Sequence, residues 1–509
     1  MLLGLDVGTT GCKAAVFTPQ GEMLGYGYEE YGIISIQEKM AEQDPEKVWE
    51  AVCRVLKAAY RSSGGKKISA LSISVQGDAI IPVGKNFKPL YNAVLGMDYR
   101  SQEQAKKCEE LFGGKTLFDM TGMRPHPINS LCKILWLKEK HPSVYKKAWK
   151  ITTYADYIMG KLGADPVIDY TMASRTMAFD LKNLTWSYYI LEKLDIPIEL
   201  FSQPLPSGVC VGKISEKAAS ETGLSKQIFL VTGGHDQTCA ALGAGVIGEG
   251  TGVLSTGTAE VLSTAFHKPH LNETMYQSYY PCYIYTKKDM HFTFTLNHVG
   301  GLLLRWFRDN FASEEVAEAK RSGTDPYRVM IERIPEQPVD VMILPHFNGS
   351  GTPFCDMSSR GAIVGITLAT NRHHLVRAIL ESQTYELKIN LETLNRAGIS
   401  IEEFNAVGGG AKSPRWLQIK ADILQNTVST LRVSEAACLG AAILAGTASG
   451  IYSSIDQGVK SCVFKEKTYY PQKELIERYN HNYSIYKEIY PSLVPINKKL
   501  AQENDFLCY

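Results

Sequence analysis

Two stretches far apart in the chain carry the same short pattern, and that pairing constrains the fold more than any other feature. Leu254-Ser255-Thr256-Gly257-Thr258, continuing to Phe266, can be laid without a gap on Leu5-Asp6-Val7-Gly8-Thr9, continuing to Phe17. The matched letters are few, but their register puts Gly-Thr at the turn in both copies. Two similar halves, each aiming a hairpin at a shared cleft, would clasp one phosphate chain from both sides. A chance match is the competing explanation. At 509 residues the chain exceeds the usual size of one domain, which leaves room for two halves of this kind.

The first copy opens a β-meander. Residues 2–6 read as a strand, Gly8-Thr9-Thr10-Gly11 as a tight turn, 12–17 as the returning strand and 23–28 as a third. A strand ending in Asp6 before a Gly/Thr turn offers backbone N–H groups and hydroxyls to a phosphate, with the carboxylate close enough to hold Mg²⁺. Lys13 reaches the same anion. A hairpin with an ordinary polar tip is the alternative. Asp44 then caps a helix with Pro45 in its first turn, and Val48, Trp49, Val52, Val55, Leu56 and Ala59 share one face. A buried strand follows over 68–75, and this alternation predicts an α/β layered domain.

Polar groups cluster at the ends of the predicted strands, where α/β folds bind ligands. Gln76-Gly77-Asp78 follows one strand, and Gly96-Met97-Asp98-Tyr99-Arg100 follows another apolar stretch. Asp78 is the stronger candidate for gripping a sugar hydroxyl, because a charged acceptor makes the stronger hydrogen bond. For Asp98 a helix N-cap or a partnership with Arg100 is the simpler assignment.

Gly233-Gly234-His235-Asp236-Gln237-Thr238 follows the apolar run 228–231 and precedes the small apolar residues 239–242. Asp236 therefore stands between a strand end and a helix start, well placed to take a proton from a substrate. An ordinary N-cap is the alternative. Gly243-Ala244-Gly245-Val246-Ile247-Gly248 matches GxGxxG, but it follows a helix and not a strand, so it closes that helix and begins a link. No Walker-type site is visible.

Further on, Asn405-Ala406-Val407 leads into Gly408-Gly409-Gly410-Ala411, and Ser413-Pro414-Arg415-Trp416 opens an amphipathic helix. Three glycines after a strand let a nucleotide lie on the backbone. Residues 435–448 form a helix rich in Ala and Gly that permits close packing. Tyr479, Tyr483, Tyr486 and Tyr490 stripe a terminal helix and pack on the body. His373-His374 is a solvated helix start.

Lys plus Arg total 54 and Asp plus Glu 53, so charge supplies no attraction to nucleic acid or an anionic membrane. The 11 cysteines form no CxxC pair, which points away from zinc and a disulfide framework and toward a reducing cytoplasm. Asp6 breaks the first apolar run and no basic segment precedes it, so no signal peptide is expected. The longest small-apolar run, 436–446, is too short to cross a bilayer.

Together these stretches resemble the FGGY family of carbohydrate kinases, from the N-terminus to about residue 450. Ser130-Leu131-Cys132-Lys133-Ile134-Leu135-Trp136 is similar to the family's first characteristic motif, with Ile128 where an aromatic or small residue is usual. Gly361-Ala362-Ile363-Val364-Gly365-Ile366, His374-Leu375 and Ala378-Ile379-Leu380-Glu381 fit the second motif's spacing throughout. Gly408-Gly409-Gly410-Ala411 with Trp416 and Gln418 resembles the family's adenosine site.

The resemblance implies an α/β fold of two actin-like (ribonuclease H-like) ATPase domains with a cleft between them. The corresponding division is 1–247 with sugar site and base, 248–452 with nucleotide site, and 453–509 as a helical tail packing on the body. By the same resemblance Asp236 is the general base and Asp6 organises Mg²⁺, while Gly8, Thr9, Thr10 and Lys13 hold ATP phosphates from one side. Thr256, Gly257 and Thr258 hold them from the other, with Gln76, Gly77, Asp78, Asp98 and Gln237 at the sugar.

Xylulose kinases resemble the chain in length and in Trp306-Phe307-Arg308-Asp309 after Gly300-Gly301, but usually carry Met-His-Gly where Gln76-Gly77-Asp78 stands. Asp236-Gln237 resembles glycerol kinases. The expected substrate is a ketose or polyol, xylulose first, with fuculose, erythritol or erythrulose, and glycerol as alternatives. The partners expected are a small sugar or polyol, with no nucleic acid and no membrane, and a homodimer is left open. An actin-like ATP-binding regulatory module is the alternative of another class; the pairing of Asp78 with Asp236 speaks against it, since a module without an acceptor needs no second carboxylate.

Overall fold

The computed structural model describes residues 1–35, 40–433 and 435–504. The opening meander forms as β1 (Leu2–Val7), β2 (Gly11–Phe17) and β3 (Met23–Glu30), antiparallel neighbours in register. Helix α1 (Pro45–Ser62) begins where Asp44 accepts a hydrogen bond from the Glu46 N–H at 3.0 Å, and its apolar face packs on the meander. Strand β4 (Ala70–Val75) then runs parallel to β1. Later come α2 (Ser130–Lys140), the short α3 (Tyr170–Arg175), β5 (Cys210–Lys213), β6 (Phe229–His235) and α4 (Asp236–Gly243). The first sheet has the order β5-β6-β4-β1-β2-β3.

The second half repeats the plan. Strands β7 (Gly250–Thr256), β8 (Glu260–Phe266), β9 (Tyr283–Ile284) and β10 (His291–Asn297) precede α5 (Gly301–Phe311) and the long α6 (Arg372–Arg396). Then follow β11 (Ile401–Gly408), α7 (Pro414–Leu424), β12 (Thr427–Leu431), α8 (Ala436–Ala448), β13 (Lys465–Tyr469) and α9 (Ile476–Asn504). The second sheet has the order β9-β10-β8-β7-β11-β12-β13.

In each sheet an antiparallel run, of three strands in the first and four in the second, adjoins two parallel strands, with an antiparallel strand beyond them. The two hairpins are therefore equivalent in topology, although the gapless overlay slips by one residue across the turn. Val7 pairs with Cys12 and Thr256 with Glu260, so the second turn is one residue shorter.

Helix α8 follows the second sheet in sequence but packs on β1 and β4 of the first and lies along α4. That approach needs glycine: a Cβ at Gly440 would stand 1.9 Å from the Cys239 carbonyl oxygen. One apolar cluster consequently joins Leu2 and Phe17 to Leu439 and Ile443 across the two halves.

The tail differs from the expected helix. Lys465–Tyr469 is the edge strand β13, antiparallel to β12, so the second sheet extends past residue 452. Its segment Lys-Glu-Lys-Thr-Tyr buries only the final tyrosine, and charged residues suit an exposed sheet edge. Helix α9 does pack on the body: Tyr479, Tyr483 and Tyr486 are buried, and the Tyr486 hydroxyl donates to Glu386 at 2.7 Å. Residues 505–509 of the predicted tail lie outside the described residues.

Candidate active site

Three parallel strands end side by side, with Val7 paired to Val75 and Val75 to His235. The next residues therefore leave the sheet at one edge. Asp6 lies at the end of β1, Gln76-Gly77-Asp78 follow β4, and Asp236 opens α4 after β6. Carboxylates distant in sequence converge because strand ends in a parallel array converge.

Asp236 is the first residue of its helix, with His235 in the cap position. Its side chain is 32% exposed, and Oδ1 accepts the Gln237 N–H at 2.6 Å. Burial, then the neighbouring Asp6, push its carboxyl up to about 7. A carboxylate tuned there takes a proton near neutral pH. Asp6 accepts from Ser74 Oγ at 2.7 Å, and its carboxyl is also raised, chiefly by burial.

Asp78 adopts the left-handed backbone conformation at φ 66°. Lys133, wholly buried on α2, donates to the Asp78 carbonyl at 3.0 Å and the Ile128 carbonyl at 2.5 Å. Arg175 on α3 pairs with Asp78 Oδ2 at 2.5 Å. Asp78 Oδ1 and Arg175 Nε are buried without a partner among the described residues, an acceptor and a donor left unspent. The sequence offered no sign of Arg175, which stands in a six-residue helix without a motif.

Two predicted sugar contacts are occupied elsewhere. Asp98 is fully buried; both its oxygens meet Arg100 at 2.9 Å, and Oδ2 also accepts the Ala41 N–H at 2.6 Å. Its saturated carboxylate holds Arg100, which in turn reaches Glu42 at 2.6 Å. Gln76 turns its amide back to the Gly8 carbonyl at 3.1 Å and to Gln43 at 3.2 Å. It braces the first hairpin from beneath. Gln237 remains half-buried beside Asp236, and its side chain makes no hydrogen bond among the described residues.

That hairpin is tied down from several sides. Gly8 N–H donates to the Gly11 carbonyl at 2.9 Å, Tyr31 Oη donates to the Gly8 carbonyl at 2.6 Å, and Gln43 donates to the Thr9 carbonyl at 2.5 Å. The exposed tip at Thr10 is left open. Lys13, expected to face a phosphate, instead pairs with Glu435 at the start of α8 at 2.9 Å.

The second hairpin borders a cavity of about 740 Å³ lined by Thr256, Gly257, Thr258, Gly409, Gly410, Lys412, Arg415 and Trp416, among others. Lys420 and Glu260, 1% and 0% exposed, pair at 2.5 Å beneath it, and Lys420 also donates to Thr256 Oγ1 at 2.6 Å. Gly408, at φ 83°, turns the chain against Thr256 and Ala411 packs inward, so neither lines the cavity. Gln418 does not line it either. Two residues beyond Trp416 on α7, it projects from another face, since positions i and i+2 diverge, and donates to Asp422 at 2.9 Å and the Tyr470 carbonyl at 2.8 Å.

Among the described residues no group of three or more His, Cys, Asp and Glu is placed to hold a metal. Mg²⁺ needs no such cage, since it is commonly held by one or two carboxylates together with substrate phosphates. Asp6, with one oxygen on Ser74, fits that demand. No helix among the described residues is long and apolar enough to cross a membrane.

Models of the FGGY family of carbohydrate kinases match the chain twice, the N-terminal domain over residues 1–243 and the C-terminal domain over 245–449. A xylulose kinase of Bacillus subtilis (strain 168) is 28% identical over 501 residues, 98% of either chain. A gluconokinase of the same organism is 30% identical over 459 residues, 89% of either chain. The ligand-bound xylulose kinase structure from Lactobacillus acidophilus superposes with a TM-score of 0.88 at 24% identity, covering 98% of this chain and 99% of that one. At that identity the superposition shows the fold alone: two actin-like domains.

Proposed function

The chain belongs to the FGGY family of carbohydrate kinases, and from that premise we propose that it transfers the γ-phosphoryl group of ATP to a hydroxyl of a ketopentose such as xylulose, with Asp236 as general base. One observation carries the assignment: a carboxylate one-third open to the cleft, raised to about 7, at the edge where the strand ends meet. Asp236 takes the hydroxyl proton, the sugar oxygen bonds to the γ-phosphorus, and the bond to the β-bridging oxygen breaks to release ADP. Catalysis by positioning and charge stabilisation suits such a transfer.

Thr256, Gly257, Thr258, Gly409 and Gly410 would hold the nucleotide, with the Gly8–Thr10 turn facing the phosphates. Asp6 would hold Mg²⁺ through water. When bound, the ion would supply positive charge to the phosphate oxygens. Asp78 Oδ1 and Arg175 Nε would grip the sugar. Arg175 is already neutralised by Asp78, so an aldonate carboxylate would meet no uncompensated cation there, which favours a neutral sugar over gluconate. Fuculose, erythrulose and glycerol are the other acceptors to try.

The free cysteines support a reducing cytoplasm, and the near-neutral charge supports the absence of nucleic-acid partners. The exposed strip Ile363, Val364, Ile366 and Leu368 supports a homodimer, which sedimentation would read.

ADP release from Mg-ATP across ketoses, aldonates, polyols and glycerol tests the function, with Asp236→Ala as control. Xylulose is expected to give the strongest signal and the variant to lose it; a general base contributes about 10²–10⁴-fold. An Asp236→Ala enzyme within a few-fold of wild type would remove the base assignment.

A further inference from the structure

The imidazole of His235 fills the space beside Gly77. A Cβ added at Gly77 would stand 2.7 Å from His235 Nε2 and 2.9 Å from Cδ2, so the ring fits only because residue 77 carries no side chain. The ring leaves the last residue of β6, is buried, and places Nε2 3.2 Å from Asp236 Oδ1. Its other nitrogen, Nδ1, is 2.9 Å from the hydroxyl of Tyr283, a buried residue of β9 in the second sheet.

Burial and the nearby Arg175 keep His235 well below its ordinary range, so the ring is neutral and carries one N–H. Burial likewise keeps the Tyr283 phenol protonated. With the ring proton on Nδ1, Nε2 would turn a lone pair toward the carboxylate, acceptor against acceptor. With the proton on Nε2, Tyr283 donates to Nδ1 and an N–H faces Asp236. The second tautomer satisfies Nδ1 and places Nε2 3.2 Å from Oδ1, near the carboxylate but short of hydrogen-bond alignment. Oδ1 accepts the Gln237 N–H, which leaves Oδ2 to meet a substrate hydroxyl.

We propose that His235, its tautomer set by Tyr283, is a positioning residue for Asp236 that engages Oδ1 and reserves Oδ2 for proton abstraction. The proposal rests on Asp236 being the base. Catalytic contacts that are loosely aligned without ligand tighten when substrate closes the site. Because Tyr283 belongs to the second sheet, the same contact ties the base to the half that carries the nucleotide cavity. The other charged groups facing Asp236 are Asp6 from β1, Asp78 after β4 and Arg175 from α3.

The test is the pH dependence of kcat at saturating sugar for wild type, His235→Asn, Tyr283→Phe and His235→Gln, with Asp236→Asn as control. Losing one N–H directed at a carboxylate moves its acid limb up by about one pH unit. His235→Asn is expected to show that shift, with a greater loss at pH 6 than at pH 9, and Tyr283→Phe a smaller shift in the same direction. His235→Gln, whose amide N–H reaches the place of Nε2, is expected to bring the limb back toward wild type. Acid limbs that coincide with wild type in both His235→Asn and Tyr283→Phe would overturn the proposal even if their plateaus fell, because damaged packing lowers a plateau without moving the limb. An active Asp236→Asn enzyme would overturn the base assignment itself, an outcome distinct from the first.

Discussion

Arg175 Nη2 sits 2.5 Å from Asp78 Oδ2 in a pair whose side chains are 4% and 5% exposed, yet each keeps one buried polar atom without a partner among the described residues. The pair is structurally costly and keeps unspent hydrogen-bonding capacity in the interior. Removing one member strands the other charge, which costs about 3–5 kcal/mol. Arg175→Met is expected to lose stability on that scale, and Asp78→Asn with Arg175→Met to recover much of it. Urea midpoints read both, and an Arg175→Met midpoint equal to wild type would contradict the pairing.

Activity should rise with pH through about 7, where Asp236 loses its proton, and level off above that. Stability moves the other way. The folded carboxyl binds its proton more tightly than the unfolded one, so its stabilising contribution is complete below the unfolded value of 3.8 and is lost as pH rises through about 7. Asp236→Asn should therefore melt higher than wild type at pH 8 and show little difference at pH 4. Melting curves at the two pH values decide it; an Asp236→Asn protein that is less stable at pH 8 would show that burial does not strain this carboxylate.

Lys133 would support the proposed sugar site without facing it. Its ammonium spends two hydrogen bonds on the carbonyls of Asp78 and Ile128, while Ser130 Oγ reaches the same Asp78 carbonyl at 3.2 Å. Lys133→Met keeps the bulk and releases the Asp78 turn. Loss of a charged hydrogen bond on this scale predicts a sugar KM raised about tenfold. The ATP KM should stay close to wild type. Equal rises in both would mean that the variant damages the whole cleft.

How much of this was legible in the sequence follows from how local each signal is. Asp6, Asp78 and Asp236 could be read because each ends an apolar strand, and a parallel sheet converts three strand ends into one edge. The hairpin repeat could be read because a turn and its two strands are contiguous. Arg175, Tyr283 and Glu435 reach their partners through tertiary packing across 97, 48 and 422 residues, a relation that no window along the chain contains. Gln418 was misplaced by helix phase and not by element, two positions from a residue that does line the cavity. Strand β13 was hidden because an exposed edge of charged residues carries no apolar alternation.

The half proposed to hold the nucleotide has its own buried support. Lys420 donates to Glu260 Oε1 and Thr256 Oγ1, and its ammonium lies 4.6 Å from the Trp416 ring centre. Thr256 and Trp416 both line the cavity, so one cation fixes the hairpin and the first turn of α7 relative to each other. Glu260 Oε2 already lacks a partner among the described residues, and Lys420→Met would leave the rest of that carboxylate to the Thr256 hydroxyl alone. The hairpin would loosen, and an uncompensated negative charge would stand beneath the phosphates. An ATP KM raised at least about tenfold is expected, the equivalent of one lost charged hydrogen bond. The sugar KM should hold, since the hydrogen bonds and the ring contact of Lys420 all lie within the second half. Adding Glu260→Gln removes the stranded charge and should restore part of the ATP affinity. A double variant no better than Lys420→Met would assign the loss to the hairpin's geometry and not to its charge.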